Sequence, residues 1–529
     1  MTRSFDDSQA ASAPRPRRIK PVRTQSGIAP VAILTKPYPC PGRCVFCPSD
    51  VRMPKSYLSM EPGAQRATRN AFDPFAQTWN RLLALHRNGH RLDKIELIVM
   101  GGTFSAYPKD YQRWFVKRVF DALNEFDAER GVIPPAPSQR DFLDLDARFD
   151  GAKDAGRYDA IVADHLKHHH GEVLASDEHA SLQELLVAHH RNETTACRAV
   201  GLSFETRPDR IDEAEVRNLR ELGGTKVQLG FQSLDDEVLR TNRRGHDVAA
   251  AARACALLRR AGFKVQGHIM PNLLGATLEN DRASFRRLFD DPDFRPDELK
   301  LYPCVLLETA ELMRFHQDGT WRAYSREDLL DLLVDSISET PRYCRLSRVI
   351  RDIPSHDILE GNKQSNLRED VEALARRRGK PLTDIRIRQI ARPLHATEEL
   401  LERDSPYSLN SGHEHFLEIT TARDELVGFL RLHLPSEAAF FAELEGAALI
   451  REVHVYGETA PLHEHGDDYS QHRGLGRRLI ARAEAIARAA GFQRIAVISA
   501  IGTREYYRRL GYRDRGLYLV ADLDGASLP

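Results

Sequence analysis

Short apolar runs alternate with amphipathic helical stretches from about residue 28 to residue 310, and this alternation limits the possible folds most strongly. The strand-like runs are residues 28–35, 94–102, 199–206, 226–233, 264–272 and 299–304. The helical stretches between them include residues 76–88, 111–126, 247–260 and 281–289. Repeated strand–helix units predict a parallel sheet with helices outside it, either open or barrel-shaped. In such folds the reactive residues lie at the carboxyl ends of the strands.

The pattern changes at several points along the 529 residues, a length that exceeds one hydrophobic core. Residues 1–18 are rich in Ser, Ala, Pro and Arg, which predicts a disordered basic arm. Residues 133–190 are polar, contain the run His168–His170 and show no apolar period, so we interpret them as an insertion. Residues 311–395 predict a basic helical linker, and residues 396–529 predict a separate α+β domain.

Composition is that of a globular protein, with 41% hydrophobic and 29% charged residues. Because there is no long uncharged apolar run and no apolar segment near the start, we expect no membrane span, no secretory signal and a cytoplasmic location. The net charge is −1, yet residues 15–23 hold five basic residues and no acidic one. Residues 342–392 carry 13 basic against 7 acidic residues. These two basic patches indicate a partner with phosphate groups that the protein contacts at specific sites. The alternative is that the first patch is a disordered tail and the second a solvated helix face.

Three of the seven cysteines, Cys40, Cys44 and Cys47, lie close together directly after the first strand-like run. Three thiolates cannot complete a tetrahedral zinc site by themselves. They can hold three corners of a 4Fe–4S cluster and leave one iron open to the amino and carboxylate groups of S-adenosylmethionine. A zinc knuckle without a nearby fourth ligand is the alternative, but the Cys-x3-Cys-x2-Cys spacing before strand–helix units is the radical-SAM signature.

Glycines and polar residues follow the later strand-like runs, where a parallel sheet places its ligands. Gly101 and Gly102 end the second run, and close backbone approach to the methionine amino group requires glycine there. Glu205 and Gln232 end the next two runs. We predict that all four contact S-adenosylmethionine, with a cap or turn role as the alternative for each polar residue.

A glycine-rich loop precedes a strong amphipathic helix in the C-terminal part of the chain. The sequence Gln-His-Arg-Gly-Leu-Gly matches the Q/R-x-x-G-x-G/A loop of GNAT acetyltransferases, in which backbone N–H groups at a helix N-terminus bind a pyrophosphate. The run ALIREVHVY before it and TREYYRRLGY after it fit the same domain. The predicted acetyl-CoA ligands of this loop are Gln471, Arg473, Gly474, Leu475, Gly476 and Arg477.

Two adjacent tyrosines, Tyr506 and Tyr507, lie on the last predicted helix. A tyrosine at this place in GNAT enzymes can protonate the leaving thiolate as a general acid. Adjacent helical residues face different ways, so we expect one tyrosine to be catalytic and favour Tyr507.

The chain as a whole resembles the catalytic subunit family of Elongator from about residue 18 onward, apart from the insertion. The stretches KPYPCPG, LIVMGGTFSAYPKDY, GLSFETRPD, REVHVYGE and TREYYRRLGY carry the resemblance. It implies an α/β chain with a radical-SAM partial (β/α) barrel over residues 19–310, the basic linker, and a GNAT-type α+β domain. It also implies three small-molecule partners: a 4Fe–4S cluster, S-adenosylmethionine and acetyl-CoA.

The resemblance further implies that the chain modifies tRNA. In this family the acetyl group of acetyl-CoA and radical chemistry give a carboxymethyl-type product on carbon 5 of the wobble uridine in the anticodon loop. Implied acetyl-CoA contacts are Arg198 and the strand residues Glu452, Val453, His454 and Val455. Implied tRNA phosphate contacts are the basic residues Lys20, Arg23, Arg345, Arg348, Arg351 and Arg368, for which a plain surface charge is the alternative.

Two other functions compete with this interpretation. A protein lysine acetyltransferase would use the GNAT domain alone and keep the cluster as a structural element. A tRNA-binding scaffold would have lost both enzyme sites. The intact cysteines and the intact glycine-rich loop favour the tRNA-modifying enzyme, while a homodimer and accessory subunits are both compatible with the sequence.

Overall fold

The computed structural model describes residues 24, 26–136, 158–170, 177–395, 397–456 and 474–523. Six parallel strands, in sequence order, form most of the first sheet: β1 (Ala29–Leu34), β2 (Lys94–Met100), β3 (Arg198–Thr206), β4 (Lys226–Gln232), β5 (Lys264–Ile269) and β6 (Glu298–Leu301). The short β7 (Leu306–Leu307) leaves the sheet and pairs with β9 (Ile358–Glu360), whereas β8 (Arg345–Arg348) returns and pairs parallel to β6. The edge strands are β1 and β8, so the sheet is a half-barrel.

Alternation along β2 shows how the sequence builds this half-barrel. Ile95, Leu97 and Val99 are fully buried against the outer helices. Glu96 and Ile98, on the opposite face, line the inside of the sheet. A closed barrel of this type is filled with bulky apolar side chains. Here the inner face also carries charged and amide side chains, which leaves room for ligands.

Thirteen helices of the described residues accompany this sheet and the segment after it. They are α1 (Pro62–Arg69), α2 (Pro74–Arg87), α3 (Lys109–Glu125), α4 (Tyr158–His170), α5 (Leu182–Asn192), α6 (Glu213–Glu221), α7 (Asp236–Thr241), α8 (Val248–Arg260), α9 (Leu278–Asp290), α10 (Leu312–Gln317), α11 (Arg326–Glu339), α12 (Leu367–Arg377) and α13 (Ile385–Arg388). The side chains of Asp212, Asp247 and Thr277 cap α6, α8 and α9, as their sequence positions favour.

A second seven-stranded sheet forms the C-terminal domain. Its elements are β10 (Leu400–Leu409), β11 (Gly412–Thr421), β12 (Leu426–Pro435), β13 (Ala447–Val455), α14 (Leu475–Ala489), β14 (Arg494–Val497), α15 (Arg504–Arg508), β15 (Arg513–Arg515) and β16 (Tyr518–Asp522). The strand order is β10-β11-β12-β13-β14-β16-β15. On its β13 side, strand β14 pairs with Ala447–Ile450 and no further, so β13 and β14 separate from Arg451 onward.

The two domains share one continuous hydrophobic core. The Tyr518 hydroxyl donates to the Ala261 carbonyl at 2.9 Å, and the Arg220 guanidinium donates to the Ser499 carbonyl at 3.0 Å. These contacts join the helical layer of the barrel to the second sheet. No helix of the described residues combines the length and apolar character that crossing a bilayer requires.

Two expectations about the chain's organisation need correction. The segment 311–395 is not only helical, because β8 lies within it and completes the first sheet. The segment 133–190 is not without an apolar period: within α4, Tyr158, Ile161, Val162 and Leu166 follow helical spacing and are buried. The predicted arm, residues 1–18, lies outside the described residues.

Candidate active site

The three clustered cysteines lie on the loop after β1, at the carboxyl end of the half-barrel. Cys44 is buried, and Cys40 and Cys47 are half-buried. Arg244 donates from Nη1 to the Cys44 sulfur at 3.0 Å. The pKa of the Cys44 thiol is held well below its usual range by a hydrogen bond with Cys47 first, and then by the charges of Arg244 and Arg207. The loop therefore favours a thiolate at Cys44, the form that ligates iron.

Three thiols are the ligand set that a 4Fe–4S cluster with one open iron takes. Among the residues that the structure describes, no three Cys, His, Asp or Glu side chains gather round one point as ligands of one metal do. A 4Fe–4S cluster binds each thiolate through a different iron, so its cysteines need not share one point. The Gly42 amide also points at the Cys40 sulfur, 3.5 Å away, as N–H groups do around cluster thiolates.

A cavity of about 890 Å³ runs from the cysteine loop into the half-barrel. Gly102 lines it directly, and the backbone at Gly101 and Gly102 has φ of 151° and 82°. A Cβ at Gly101 would lie 1.9 Å from the Thr35 hydroxyl, and one at Gly102 would lie 2.8 Å from the Lys55 carbonyl. Glycine is therefore required at both positions by space and by backbone conformation.

Glu205 and Gln232, the two predicted strand-end ligands, face the same cavity. Glu205 accepts from the Tyr57 hydroxyl at 2.5 Å and from Lys300 at 3.0 Å. Gln232 is buried with φ of 70°, and its Oε1 atom has no protein partner. A buried acceptor without a partner beside an open cavity fits a ligand that supplies the donor.

Tyr57 and Lys300 were missed by the sequence reasoning. Lys300 lies on β6, and its inward direction followed from the alternation of that strand. Tyr57 lies in a loop without periodicity, so no local signal placed it beside Glu205.

Basic side chains dominate the wall of the cavity. Four acidic residues line it, namely Glu61, Glu96, Glu205 and Asp352. Twelve basic residues do so: Lys55, Arg66, Arg81, Arg207, Lys226, Arg244, Lys300, Arg345, Arg348, Arg351, Lys363 and Arg386. Because the whole chain is nearly neutral, this excess of basic residues concentrates positive charge along the cavity.

The predicted tRNA contacts differ in how strongly they are held by the protein. Arg345 donates to the Tyr456 hydroxyl at 2.9 Å, and Arg351 donates to the Glu61 carboxylate at 2.6 Å. Arg368 is bound to Glu372 and to the Leu346 carbonyl, both at 2.6 Å. Arg348 is half-exposed, forms an exposed ion pair with Asp352 at 2.8 Å, and is hydrogen-bonded to Tyr302. Lys20 and Arg23 lie outside the described residues.

The glycine-rich loop leads into α14 in the second domain. Gly474 lies at the N-terminal cap with φ of 70°, Leu475 is buried, and Arg477 is exposed. A Cβ at Gly476 would lie 2.8 Å from the Tyr506 hydroxyl. The absence of a side chain at Gly476 therefore leaves room for this hydroxyl beside the first turn of α14. Gln471 and Arg473 lie outside the described residues.

The separated half of β13 holds the other predicted acetyl-CoA residues. Val453 and Val455 pack on the shared core. His454 stacks on Phe429 with ring centroids 5.6 Å apart, and burial lowers its pKa to about 4. Glu452 accepts from Lys264 of β5 at 2.7 Å, which fixes this strand against the amino end of the half-barrel.

Arg198 and the two tyrosines lie near the same junction. The Arg198 side chain begins beside Gly502, because a Cβ at Gly502 would lie 2.6 Å from the Arg198 Cβ. Tyr506 is half-exposed, whereas Tyr507 is buried and packs edge-on against Tyr512. Burial raises the pKa of Tyr507, with smaller effects from Tyr506 and Glu452. Tyr507 therefore keeps its proton at neutral pH.

Comparison with known proteins agrees with this geometry. Models of the radical SAM superfamily, the radical SAM C-terminal domain and the acetyltransferase (GNAT) family match residues 162–288, 296–377 and 385–512. The chain is 36% identical over 518 residues to the "tRNA uridine(34) acetyltransferase" of Methanocaldococcus jannaschii, covering 95% of this chain and 86% of the relative. It is 35% identical over 543 residues to human "Elongator complex protein 3", covering 97% and 89%. The chain belongs to the Elongator complex protein 3 family.

A solved structure of this family extends the comparison to the fold. The archaeal Elp3 of Methanocaldococcus infernus matches with a TM-score of 0.73 and 33% identity, over 94% of this chain and 100% of that chain. The prediction of a radical-SAM half-barrel followed by a GNAT domain is confirmed. The domains of the Elongator complex protein 3 family imply a 4Fe–4S cluster, S-adenosylmethionine and acetyl-CoA, as predicted.

Proposed function

We propose that this chain places a carboxymethyl-type group on carbon 5 of the wobble uridine of tRNA, using acetyl-CoA and S-adenosylmethionine. One observation carries the proposal: the half of β13 that leaves β14 is fixed by Glu452 to Lys264 at the base of the half-barrel whose other end holds the cysteines. The two predicted cofactor-binding ends thus belong to domains that are joined by this ion pair and by one hydrophobic core. The names of the relatives, which specify uridine 34 of tRNA, support the choice of acceptor.

The carboxyl end of the half-barrel would hold the metal cofactor. Cys40, Cys44 and Cys47 would bind the cluster, while Gly101, Gly102, Glu205 and Gln232 would bind S-adenosylmethionine. When bound, this pair supplies a one-electron oxidant for an unactivated methyl group, which side chains cannot provide. Arg244 and Arg207 stabilise the Cys44 thiolate, and Tyr57 and Lys300 orient Glu205 toward the cavity.

The GNAT end would hold acetyl-CoA. Gly474, Leu475, Gly476 and Arg477 begin α14, where the helix dipole and free N–H groups favour a pyrophosphate, and Gln471 and Arg473 precede them. Arg198, Glu452, Val453, His454 and Val455 surround the junction where the thioester would lie. Tyr507, protonated at neutral pH, can donate its proton to the leaving thiolate, and Tyr506 beside Gly476 can position the coenzyme.

The basic lining of the cavity suits the anticodon loop as the acceptor. Its positive side chains match a phosphate backbone, and a base in a single-stranded loop can be turned out into a cavity. Of the predicted contacts in the described part of the chain, Arg348 is the most accessible, and Arg345 and Arg351 line the same cavity. Lys20, Arg23 and Arg368 are contacts that the resemblance implies, and the Arg368 side chain is already held by Glu372 and the Leu346 carbonyl.

The test follows acetyl-CoA hydrolysis and the nucleoside product with and without tRNA. Stimulation by tRNA that Tyr507→Phe loses and Tyr506→Phe largely keeps, together with a modified wobble uridine in the wild type, supports the proposal. Cys44→Ser should keep hydrolysis and lose the nucleoside product. If tRNA does not change the rate of acetyl-CoA hydrolysis, and both wild type and Cys44→Ser place acetyl groups on protein lysines, the chain is a lysine acetyltransferase instead.

A further inference from the structure

The loop that carries the cysteines is held at both ends by one short segment that is distant in sequence. At its start, the Cys40 amide donates to the Asp159 carboxylate at 2.8 Å. At its end, the hydroxyl of Tyr158 donates to the Met53 carbonyl at 2.7 Å. Tyr158 and Asp159 are consecutive residues at the beginning of α4. One helix end therefore spans the loop between residues 40 and 53.

The helix that provides these contacts is firmly packed. Ile161, Val162 and Leu166 are buried in a cluster with Leu34 of β1 and Met53 of the loop. The Lys55 ammonium lies 4.6 Å from the centre of the Tyr158 ring, which adds a cation–π contact. The position of Asp159 is thus set by the core and not by a mobile surface loop.

A third contact comes from just beyond α4. Lys36, four residues before Cys40, forms a fully buried ion pair with Glu178. Removing one partner of such a pair leaves an uncompensated buried charge. The contacts from Asp159, Tyr158 and Glu178 all come from the stretch that the sequence pattern marks as an insertion.

We propose that α4 and Glu178 form a brace for the cluster loop, and that Asp159 is a positioning residue that fixes Cys40 and adjusts the cluster's reduction potential. The inference rests on the cluster and not on the identity of the acceptor. The Asp159 carboxylate hydrogen-bonds the backbone of a cluster ligand, the kind of outer contact that orients ligands and tunes metals. Its negative charge beside Cys40 disfavours addition of one electron to the cluster.

The test uses full-length protein with its cluster assembled under anaerobic conditions. Asp159→Asn keeps an acceptor oxygen and removes the charge, whereas Asp159→Ala removes both. Asp164→Asn, an exposed position on the same helix, is the matched control. Measurements are iron and sulfide per chain, the paramagnetic resonance spectrum of the reduced cluster, its midpoint potential, and its loss to a chelator.

The brace predicts a different result for each variant. Asp159→Asn should retain the cluster and shift the midpoint potential to more positive values, relative to wild type and to Asp164→Asn. Asp159→Ala should lose the cluster to the chelator about tenfold faster, with thermal unfolding of the apo-protein near that of wild type. If both Asp159 variants match Asp164→Asn in potential and in cluster loss, the proposal is wrong. None of these measurements requires tRNA modification, so failure of the proposed function would be seen separately.

Discussion

Lys264 of β5 and Glu452 of β13 form an ion pair across the domain boundary, with Nζ and Oε1 2.7 Å apart. Arg431 of β12 donates to the other oxygen of Glu452 at 3.0 Å. Although burial alone would raise the pKa of Glu452, Lys264 first and then Arg431 hold it well below its usual range. The carboxylate stays charged, so the pair fastens the separated half of β13 to the half-barrel at all physiological pH values.

This pair gives a prediction about the coupling of the two domains. Lys264→Met and Glu452→Gln should each destabilise the chain, and the double variant should lose less than the sum. A pair in this partly buried setting should show a coupling energy of about 1–3 kcal/mol in a double-mutant cycle, measured by urea unfolding. As a control, the exposed pair Arg240–Glu237 should change unfolding little. Strict additivity at Lys264 and Glu452 would show that the contact does not couple the domains.

The sequence predicted the elements that repeat locally. The apolar run 94–102 and the spacing of Cys40, Cys44 and Cys47 are local patterns: the run contains β2, and the cysteines follow β1 directly. Glycine at Gly101 was predicted from close approach of a ligand, and the structure adds another reason, since its φ is 151° and a Cβ would meet the Thr35 hydroxyl. Local periodicity was sufficient in these places because each pattern reflects one strand or one loop.

The brace and β8 show where that reasoning fails. Asp159 and Cys40 are 119 residues apart, and nothing in either local pattern reports their contact. The apolar spacing of α4 was present but short, and polar flanking residues hid it. Strand β8 has four residues with the sequence Arg-Leu-Ser-Arg, of which only Leu346 is buried. Its pairing with β6, rather than its own composition, makes it a strand.

Gly101 allows a second prediction, about binding of S-adenosylmethionine. Gly101→Ala should weaken binding more than tenfold and lower stability by about 2 kcal/mol, because the new methyl group meets Thr35 and the backbone conformation disfavours any side chain. Calorimetry on the protein with its cluster measures the first effect, and thermal unfolding the second.

The matched control for Gly101 is Gly131. Its φ is also positive, at 67°, but no atom lies within 4 Å of the added Cβ. Gly131→Ala should therefore show only the backbone cost, about 1–3 kcal/mol at its φ of 67° and ψ of −151°, with normal binding of S-adenosylmethionine. Equal effects at the two glycines would contradict the steric part of the argument.

Asp281 gives a third prediction, about pH. It is buried and accepts from the Asn272 amide and the Tyr324 hydroxyl, both at 2.7 Å, and burial raises its pKa to about 6. Because the folded pKa exceeds the unfolded value of 3.8, the folded state binds more protons between about pH 4 and 6. Stability from this group is present at low pH and is lost as pH rises through 6, by about 3 kcal/mol.

Asp281→Asn tests this assignment, since it keeps an acceptor oxygen and cannot ionise. The free energy of unfolding is measured with denaturant at intervals from pH 4 to pH 7.5. For Asp281→Asn it should fall less steeply with rising pH than for wild type, because the contribution of Asp281 is missing. Asp290→Asn, an exposed position on the same helix, should run parallel to wild type. If the curve for Asp281→Asn runs parallel to that of wild type, folding does not raise the pKa of Asp281.

Arg348 and Arg368 give the last prediction, which separates a nucleic-acid contact from a structural arginine. Arg348 is half-exposed, whereas the Arg368 side chain is mostly buried and bound to Glu372 and the Leu346 carbonyl. Arg348→Ala should weaken tRNA binding, reduce the slope of log affinity against log salt by about 0.7, and leave unfolding nearly unchanged. Arg368→Ala should keep the slope and lower stability by about 1–3 kcal/mol, because its buried partners lose their donor. Titrations of labelled tRNA at several salt concentrations, paired with urea unfolding, measure both quantities. A reduced slope for Arg368→Ala together with an unchanged slope for Arg348→Ala would contradict this assignment and place the RNA beside Arg368 on α12.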